Sequence, residues 1–559
     1  MILDARQDST PRHLETEVAI IGSGAAGLTL ALELDRLGVP CVMLEAGGDG
    51  FDKTAQDFYR AASISPDNHG PVHMYRRREF GGTTSIWGGR CIPFDPIDFE
   101  DRPWIPHAHW PVSYDEVAAH YPRALEICKA GPNLFRAEDA LPGQPAPLVE
   151  GVASEDLILD RIERFSEPTH FGRAYREQIA ASKGVTVLVN AIVLEVTADE
   201  GGRSVTGLVA KTAAGSQITV KARSVVVAAG ALETARILLA SRSAKACGLG
   251  NEKDLVGRFY QSHLEGEVGE IQFKAPAASV RLDYERSPEG IYCRRYIWLS
   301  PAAQRREKLG GLLLRPHHVS IANPDHGNPV LSAMYVVKDL LVPEYGRRMT
   351  STERDRAGKL GASRGALFAR HMTNVILGSP RLAAFAVNWV RKRNLAKRKL
   401  PSVVLRDARN HYVLDVNAEQ TPNFDSRVRL SDQLDPLGMP RLAIDWRTTE
   451  QDRDMVARAL PLIQRGFASG SAAEVQLERS PADYASALTR IGGHHIGTAR
   501  MASSAADGVV DRDGQAFDCK GLYVAGAAAF PTSGFANPTL VLVALTLRLA
   551  QHLKDVRPN

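Results

Sequence analysis

The fold of this chain is decided by the stretch Val18-Ala-Ile-Ile-Gly-Ser-Gly-Ala-Ala-Gly27. Its first four residues form a short apolar run rich in β-branched side chains, which is typical of a buried strand. The glycines follow at once. Residues 28–37 then show helical periodicity, and residues 40–44 form a second strand-like run that ends in Glu45. Strand, glycine turn, helix and strand in this order predict a βαβ unit of a parallel sheet.

The three glycines have the spacing of a turn that binds a dinucleotide. Gly22 makes the tight turn, Gly24 lets the backbone approach a pyrophosphate, and Gly27 lets helix and strand pack closely. The phosphates are expected at the positive end of the helix, and Glu45 is placed to accept hydrogen bonds from a ribose. The turn alone does not separate NAD from FAD, and a tight turn without a ligand stays an alternative.

Two further blocks of the chain repeat this pattern of a strand-like run, a glycine and a helix. The second block has strand-like runs at 185–189, 191–196, 205–212 and 224–228, and then a glycine and a predicted helix at 233–240. The third block has a strand-like run at 521–525 and a long apolar helix at 538–553. Three such blocks predict a discontinuous Rossmann-like α/β domain whose insertions supply the second domain. They also favour FAD, which is usually wrapped by distant parts of one chain.

The texture changes between residues 265 and 478, where strand-like pieces such as 269–273 and 333–337 alternate with polar loops. The stretch 346–400 holds fourteen Lys or Arg against two Asp or Glu, and residues 385–399 have the pattern of a basic amphipathic helix. The first expectation is a solvated helix of the insertion or an oligomer contact. The functional alternative is that this helix, with the basic stretch 391–399, faces a membrane surface, an electron carrier or an anionic substrate.

Composition excludes several classes of protein. The chain has 559 residues and a formal net charge of only +4, which does not point to nucleic acid. The six cysteines are scattered without metal-ligand spacing, so no metal is expected and the thiols are expected to be reduced. Residues 1–17 lack an apolar signal core, and nowhere do 18 apolar residues run together. The expectation is a soluble, cytoplasmic protein.

Four segments carry a resemblance to a known family. They are 492–501 (Gly-Gly-His-His-Ile-Gly-Thr-Ala-Arg-Met), 526–540 (Gly-Ala-Ala-Ala-Phe-Pro-Thr-Ser-Gly-Phe-Ala-Asn-Pro-Thr-Leu), 81–89 (Gly-Gly-Thr-Thr-Ser-Ile-Trp-Gly-Gly) and 422–430. Together they resemble the glucose–methanol–choline (GMC) oxidoreductases, in order along nearly the whole chain. The resemblance implies an FAD domain plus a substrate domain built on a large antiparallel sheet flanked by helices.

The resemblance also implies the chemistry. Members oxidise alcohols or sugars by passing a hydride to the flavin N5, and the catalytic positions fall on His494 and Asn537. A histidine can take the hydroxyl proton near neutral pH, and an asparagine can hydrogen-bond the developing oxyanion. His495 is a possible auxiliary through a shift of register, and a structural turn before Pro538 is the alternative for Asn537.

The glycine turn and the resemblance together predict the residues that contact FAD. Some relatives attach the flavin through a histidine at the position of Ile86, so the flavin is expected to be held non-covalently here. The predicted contacts are Gly22, Ser23, Gly24, Ala25, Ala26, Gly27, Glu45, Ala46, Gly81, Gly82, Thr83, Trp87, Gly88, Gly89, Val193, Ala229, Gly230, Gly526, Ala527, Asn537, Pro538 and Thr539.

The predicted domain organisation follows the blocks. The FAD-binding domain comprises 14–110, 185–264 and 479–559, the last part carrying the catalytic pair. Residues 111–184 form a cap or linker region, and 265–478 form the substrate domain with its basic helical insertion at 346–400.

The substrate predicted first is a secondary hydroxyl of a sugar or glycoside, because the 81–98 loop is most similar to bacterial branches acting on such compounds. A non-sugar alcohol stays open, as does an FAD-containing lyase of the same family. A nicotinamide-dependent dehydrogenase and a non-catalytic binding protein are the remaining alternatives. The sequence does not distinguish oxygen from another electron acceptor, and it leaves a homo-oligomer open.

Overall fold

The computed structural model describes residues 1–66, 69–167, 169–341, 363–407, 409–470, 472–488 and 493–557. Two large β-sheets form the framework of the described residues. The first is mixed and mostly parallel, and the second is antiparallel. The chain thus combines an α/β FAD-binding domain with a sheet-rich substrate domain, as the sequence predicts. Of the basic stretch 346–400, residues 346–362 lie outside the described residues.

The first sheet is built from all three glycine-ended blocks. Five neighbouring strands run parallel. Their valines and isoleucines are largely buried, as is usual for a parallel sheet that is covered on both faces. The long strand Gln217–Val227 also pairs with an antiparallel neighbour through 217–221 and with a parallel one through 225–227. In spatial order the strands are Ile2–Asp4, Val185–Val189, Cys41–Leu44, His13–Ile21, Gln217–Val227, Val205–Lys211 and Ile192–Ala198, with Leu522–Val524 beside Gln217–Val227.

Three helices follow strands of this sheet or pack on it. Ala25–Arg36 starts directly after the glycine turn, with Gly24 as its N-cap residue. Gly230–Ala240 follows the strand that ends at Val227. Thr539–Asp555 packs against Ala25–Arg36 and buries Leu540, Val543 and Leu547 among other apolar residues. Both predicted βα units are confirmed.

The second sheet is antiparallel throughout. In spatial order its strands are Ala473–Gln476, Leu264–Phe273, His411–Ala418, Leu312–His317, Ile297–Leu299 and Leu157–Ile158. The helix Glu450–Ala468 begins at a capping box formed by Thr449 and Asp452 and packs against the edge strand.

Two smaller sheets join the large ones. One contains Glu285–Arg286, Tyr292–Arg295, Ile162–Phe165 and Arg90–Cys91, and the other Arg427–Leu434, Pro440–Asp445 and Ser63–Ser65. The remaining helices of the described residues are Lys53–Asp57, Pro96–Phe99, Tyr114–Ala118, Tyr121–Ile127, Ala137–Ala140, Phe171–Ala174, Arg176–Ala181, Pro301–Glu307, Pro329–Leu341, Arg364–Leu377, Ser379–Trp389 and Pro481–Ala487, with a π-helical turn at Val390–Leu395.

Two predicted elements differ from the structure. The helix predicted at 385–399 consists of the end of Ser379–Trp389 and the turn Val390–Leu395, and residues 396–399 are not helical, since Ala396 has an extended backbone. Residues 333–337 lie in the helix Pro329–Leu341, not in a strand. The helix starts where the Asn328 side chain accepts a hydrogen bond from the Val330 N–H at 2.9 Å, with proline at the first helical position.

Two observations bear on the composition. All six cysteines are free, and five of them are buried. None of the helices in the described residues has both the length and the apolar character that are needed to cross a bilayer.

Candidate active site

The carboxyl ends of four parallel strands bring the predicted FAD residues to one edge of the first sheet. Ile21 lies beside Leu44 and Val227, and Val227 lies beside Val524. The segments that follow these strands therefore meet. They are the glycine turn at 22–27, Glu45 and Ala46, Ala228–Gly230, and Gly526 with Ala527. Parallel α/β sheets bind ligands at this edge.

The loop with Gly81 and Gly82 reaches this edge from the side. The Gly81 N–H donates to the Ser23 hydroxyl at 3.1 Å, and that hydroxyl donates to the Glu45 carboxylate at 2.6 Å. A Cβ on Gly82 would lie 3.0 Å from Gly24 Cα. Gly81 itself has φ +99°, a left-handed conformation that glycine adopts without strain. The loop and the glycine turn are thus packed as one unit.

Glu45 is buried and makes its hydrogen bonds within the protein. Its carboxylate accepts from the Ser23 N–H at 3.0 Å and from the Gly47 N–H at 2.7 Å, besides the Ser23 hydroxyl. Burial raises the pKa of this carboxyl group, although the same hydrogen bonds oppose the rise. The Glu45 carbonyl also accepts from the Ala191 N–H, which brings the strand carrying Val193 close by.

His494 and Asn537 lie together, although 43 residues separate them in the chain. The Asn537 Nδ2 atom is 3.0 Å from His494 Nε2. On the other side of the ring, His494 Nδ1 is 2.7 Å from His263 Nδ1 and 3.8 Å from a carboxylate oxygen of Glu265. The structure therefore places His494 at the centre of a polar cluster.

The proton positions in this cluster follow from one backbone carbonyl. His263 Nε2 is 3.2 Å from the Ser533 carbonyl oxygen, which can only accept, so this nitrogen donates. Burial lowers the pKa of His263 to about 4, so the ring is neutral at pH 7 and its Nδ1 atom accepts. A neutral His494 must then donate from Nδ1. Its Nε2 atom is left with a lone pair, which accepts from Asn537 Nδ2.

His495 points elsewhere. Its Nδ1 atom is 2.8 Å from the Tyr260 hydroxyl, which is 3.2 Å from His69 Nε2. The His495 and Tyr260 rings are stacked, with 15° between their planes. His494 contacts Asn537, and His495 does not. The histidine that the motif spacing favours is therefore the one in the polar cluster.

Three residues that contact the cluster escaped the sequence analysis. Gln261 and His263 come just before the strand Leu264–Phe273, and Glu265 is its second residue. Gln261 donates from Nε2 to the Pro531 carbonyl at 3.1 Å, and His263 donates to the Ser533 carbonyl, so these two hold the segment that precedes Asn537. The available signal was the alternation of polar residues at period two along 261–267.

His263, Glu265 and His494 also form a set of metal-ligating side chains, with their ligand atoms within 4.8 Å of one another. Two imidazole nitrogens that bind one zinc ion at about 2.1 Å each in tetrahedral geometry lie more than 3 Å apart. The Nδ1–Nδ1 distance of 2.7 Å is shorter, so the geometry favours a shared proton over a shared ion.

Comparison with known proteins identifies two domains. The model of the GMC oxidoreductase family matches residues 422–546, and that of the FAD dependent oxidoreductase family matches residues 17–254. The chain thus carries a GMC oxidoreductase domain behind an FAD oxidoreductase domain. It is an FAD-dependent oxidoreductase that acts on alcohol groups.

Relatives of this oxidoreductase match it over different lengths. Paromamine 6'-oxidase of Streptomyces fradiae is 24% identical over 96% of this chain and 90% of that protein. C-glycoside 3-oxidase of Arthrobacter globiformis is 32% identical over 25% of each chain. The solved structure of pyridoxine 4-oxidase from Mesorbium loti has the same fold, with a TM-score of 0.56 and 17% identity over 96% of this chain and 99% of that one.

The residues of this oxidoreductase fit FAD. An added Cβ at Gly24, Gly88 or Gly230 would meet no protein atom within 4 Å, so these backbones are open to a ligand. By contrast, a Cβ at Gly27 would lie 1.9 Å from the Gly22 carbonyl oxygen, because helix and strand pack closely there. Arg78 is only 4% exposed, and its Nε and Nη1 atoms have no hydrogen-bond partner among the described residues. A phosphate oxygen would satisfy them.

Proposed function

We propose that this GMC oxidoreductase oxidises a secondary hydroxyl of a sugar or glycoside to the ketone, with His494 as the base and Asn537 as its hydrogen-bond partner. The observation that carries the proposal is the 3.0 Å contact between Asn537 Nδ2 and His494 Nε2. The two groups lie side by side, so an alcohol hydroxyl that takes the place of this hydrogen bond can donate to the Nε2 lone pair and accept from the amide. An alcohol oxygen bound there meets both groups that its oxidation requires.

The base is His494 Nε2. Its Nδ1 atom already carries a proton that points to His263, so the hydroxyl proton can add only at Nε2. The resulting imidazolium lies 3.8 Å from the Glu265 carboxylate, which stabilises the positive charge. FAD, when bound, supplies the acceptor for the hydride that leaves the carbinol carbon. The carbon thus loses a proton and two electrons, and the product is a ketone.

Asn537 orients the substrate oxygen. One hydrogen of its Nδ2 group is donated to His494, and the second remains available for the negative charge that develops on the oxygen. Its Oδ1 atom is buried and has no partner among the described residues. A substrate donor satisfies that atom on binding, so a polar ligand gains a hydrogen bond that an apolar one leaves unmade.

A polar sheet face supports a polyhydroxylated substrate. Glu265 is opposite Asn417, and Glu267 is opposite Asp415, so the four side chains share the face that carries Glu265 toward His494. Oxygen acceptors in such numbers suit a ligand with several hydroxyl groups. A relative named C-glycoside 3-oxidase supports the same class of substrate. The flavin is held non-covalently, because Ile86 has no atom that can form the bond.

The test is anaerobic mixing of the yellow holoprotein with a panel of glycosides, free sugars and simple alcohols. Bleaching of the flavin by glycosides is expected, with much slower bleaching by simple alcohols. Fast recovery in air would identify an oxidase, and slow recovery a dehydrogenase with another acceptor. A compound that is consumed without bleaching would contradict the proposal and favour a lyase.

The roles of the pair are tested by His494→Ala. The variant is expected to keep its flavin and to reduce it about 100-fold or more slowly, because a positioned base contributes about 10²–10⁴-fold. His495→Ala is the matched control, since that ring bonds to Tyr260. A larger loss in the His495 variant than in the His494 variant would exchange the two assignments.

A further inference from the structure

Two consecutive helices form an exposed surface that the proposed chemistry does not use. They are Arg364–Leu377 and Ser379–Trp389, the second continuing as the turn Val390–Leu395. The helix Ser379–Trp389 has no buried residue, although most of its side chains are apolar. We call residues 363–400 the basic hairpin, and its chemistry differs from that of the rest of the surface.

The basic hairpin concentrates exposed apolar side chains. It holds six of the thirteen large hydrophobic residues that are exposed in the described part of the chain, within 28 residues of sequence. The six are Phe368, Ile376, Leu377, Val387, Val390 and Leu395, with exposed fractions between 47% and 79%. A soluble surface rarely gathers such side chains, and a gathering of this kind marks an interaction site.

The charge of the basic hairpin has one sign. Residues 363–400 contain nine Lys or Arg and no Asp or Glu. Arg391, Lys392 and Lys397 are exposed, next to Val390 and Leu395. An apolar helix face bordered by Lys and Arg, with Phe385 and Trp389 on the same helix, has the composition of a helix that lies in the membrane interface.

We propose that the basic hairpin binds the protein peripherally to an anionic lipid surface. The apolar side chains enter the boundary between headgroups and acyl chains, and the basic side chains pair with lipid phosphates. A second copy of this chain is a poor occupant, because a two-fold contact places the exposed cations Arg391, Lys392 and Lys397 of one copy against those of the other. The complementary partner is therefore negatively charged and accepts apolar side chains, and an anionic bilayer provides both properties.

The experiment is flotation of the holoenzyme with vesicles of phosphatidylcholine alone and with vesicles containing 30% phosphatidylglycerol. Binding to the anionic vesicles only, weakened by salt, is expected. The charge variant carries Arg391→Gln, Lys392→Gln and Lys397→Gln. It should partition on the order of 100-fold more weakly, since each cation near the surface contributes about fivefold. The apolar variant carries Leu377→Gln and Leu395→Gln and should also bind less.

The matched control carries Lys53→Gln, Lys183→Gln and Lys221→Gln, which remove the same charge from exposed positions elsewhere. It should bind like the wild type. No binding to anionic vesicles would overturn the proposal. Equal losses in the charge and control variants would also overturn it, because net charge would then explain the effect. An apolar variant with unchanged binding would overturn insertion into the interface, because the attraction to lipid would then be electrostatic alone.

Discussion

The single residue His263 determines which nitrogen atom of His494 carries the proton. We expect His263→Leu to lower the rate of flavin reduction about tenfold or more, because the variant no longer accepts from His494 Nδ1. The acidic limb of the kcat/KM profile should move to lower pH, since the imidazolium loses an acceptor. His263→Asn keeps an acceptor oxygen near the position of Nδ1 and should recover much of the rate. A Leu variant with bound flavin and an unchanged pH profile would contradict this role.

The same residue makes stability depend on pH. The pKa of His263 is lowered by burial from 6.5 to about 4, so the unfolded chain binds a proton between these values and the folded chain does not. Its contribution to stability is present above pH 6.5 and is lost as the pH falls toward 4, by up to roughly 3 kcal/mol. Urea denaturation at several pH values should show His263→Asn gaining on the wild type over this window. A constant difference between the two would refute the assignment.

His494 and Asn537 could be predicted from the sequence because they stand in a motif with fixed spacing. His263 lies 231 residues before its partner, and no spacing in the sequence reports their 2.7 Å contact. An isolated antiparallel bridge between Gln261 and Ile496, which the sequence does not specify, brings the two rings together.

At the scale of one element, the start of the helix Ala25–Arg36 determines cofactor affinity. We expect Gly24→Ala to fold normally, because its Cβ meets no protein atom and its φ of −69° suits alanine. The methyl group would occupy space that the pyrophosphate needs, so FAD should bind at least about tenfold more weakly. Gly50→Ala, at another open position, is the control for titration of the apoprotein with FAD. Equal affinities in both variants would show that the cofactor lies elsewhere.

Element type could be predicted wherever a glycine or proline bounded a long periodic run. The prediction of a strand was wrong at residues 333–337, which are apolar and partly β-branched. A short apolar run does not by itself distinguish a strand from a buried helix. The cap at Asn328 and Pro329, a few residues upstream, decides for the helix.

At the scale of the whole molecule, one ligand joins segments from three parts of the chain. FAD binding should therefore protect residues 22–27, 79–89 and 526–539 from hydrogen exchange together. The apoprotein should melt at a lower temperature, since a ligand at 1,000 times its Kd stabilises the folded state by about 4 kcal/mol. Hydrogen-exchange mass spectrometry with and without FAD measures the protection along the chain, and thermal denaturation of both forms measures the difference in melting temperature. Protection confined to the glycine turn would contradict a site shared by the three segments.

The two-domain architecture could be predicted because three separate blocks each end a strand in glycine. The strand Ile2–Asp4 was missed and adds to the first sheet before the predicted start at residue 14. Three residues are too few for a periodic signal. Its partner strand Val185–Val189 lies far along the chain, with Ile2 opposite Val187.

The late position of His494 and Asn537 has a consequence for biosynthesis. A ribosome releases residues in sequence order, so every strand of the antiparallel sheet leaves the exit tunnel before either of these two side chains. The nascent chain can assemble its substrate surface while it still lacks the histidine that would take a proton from an alcohol. A product that stops before residue 537 therefore carries the whole antiparallel sheet but lacks Asn537.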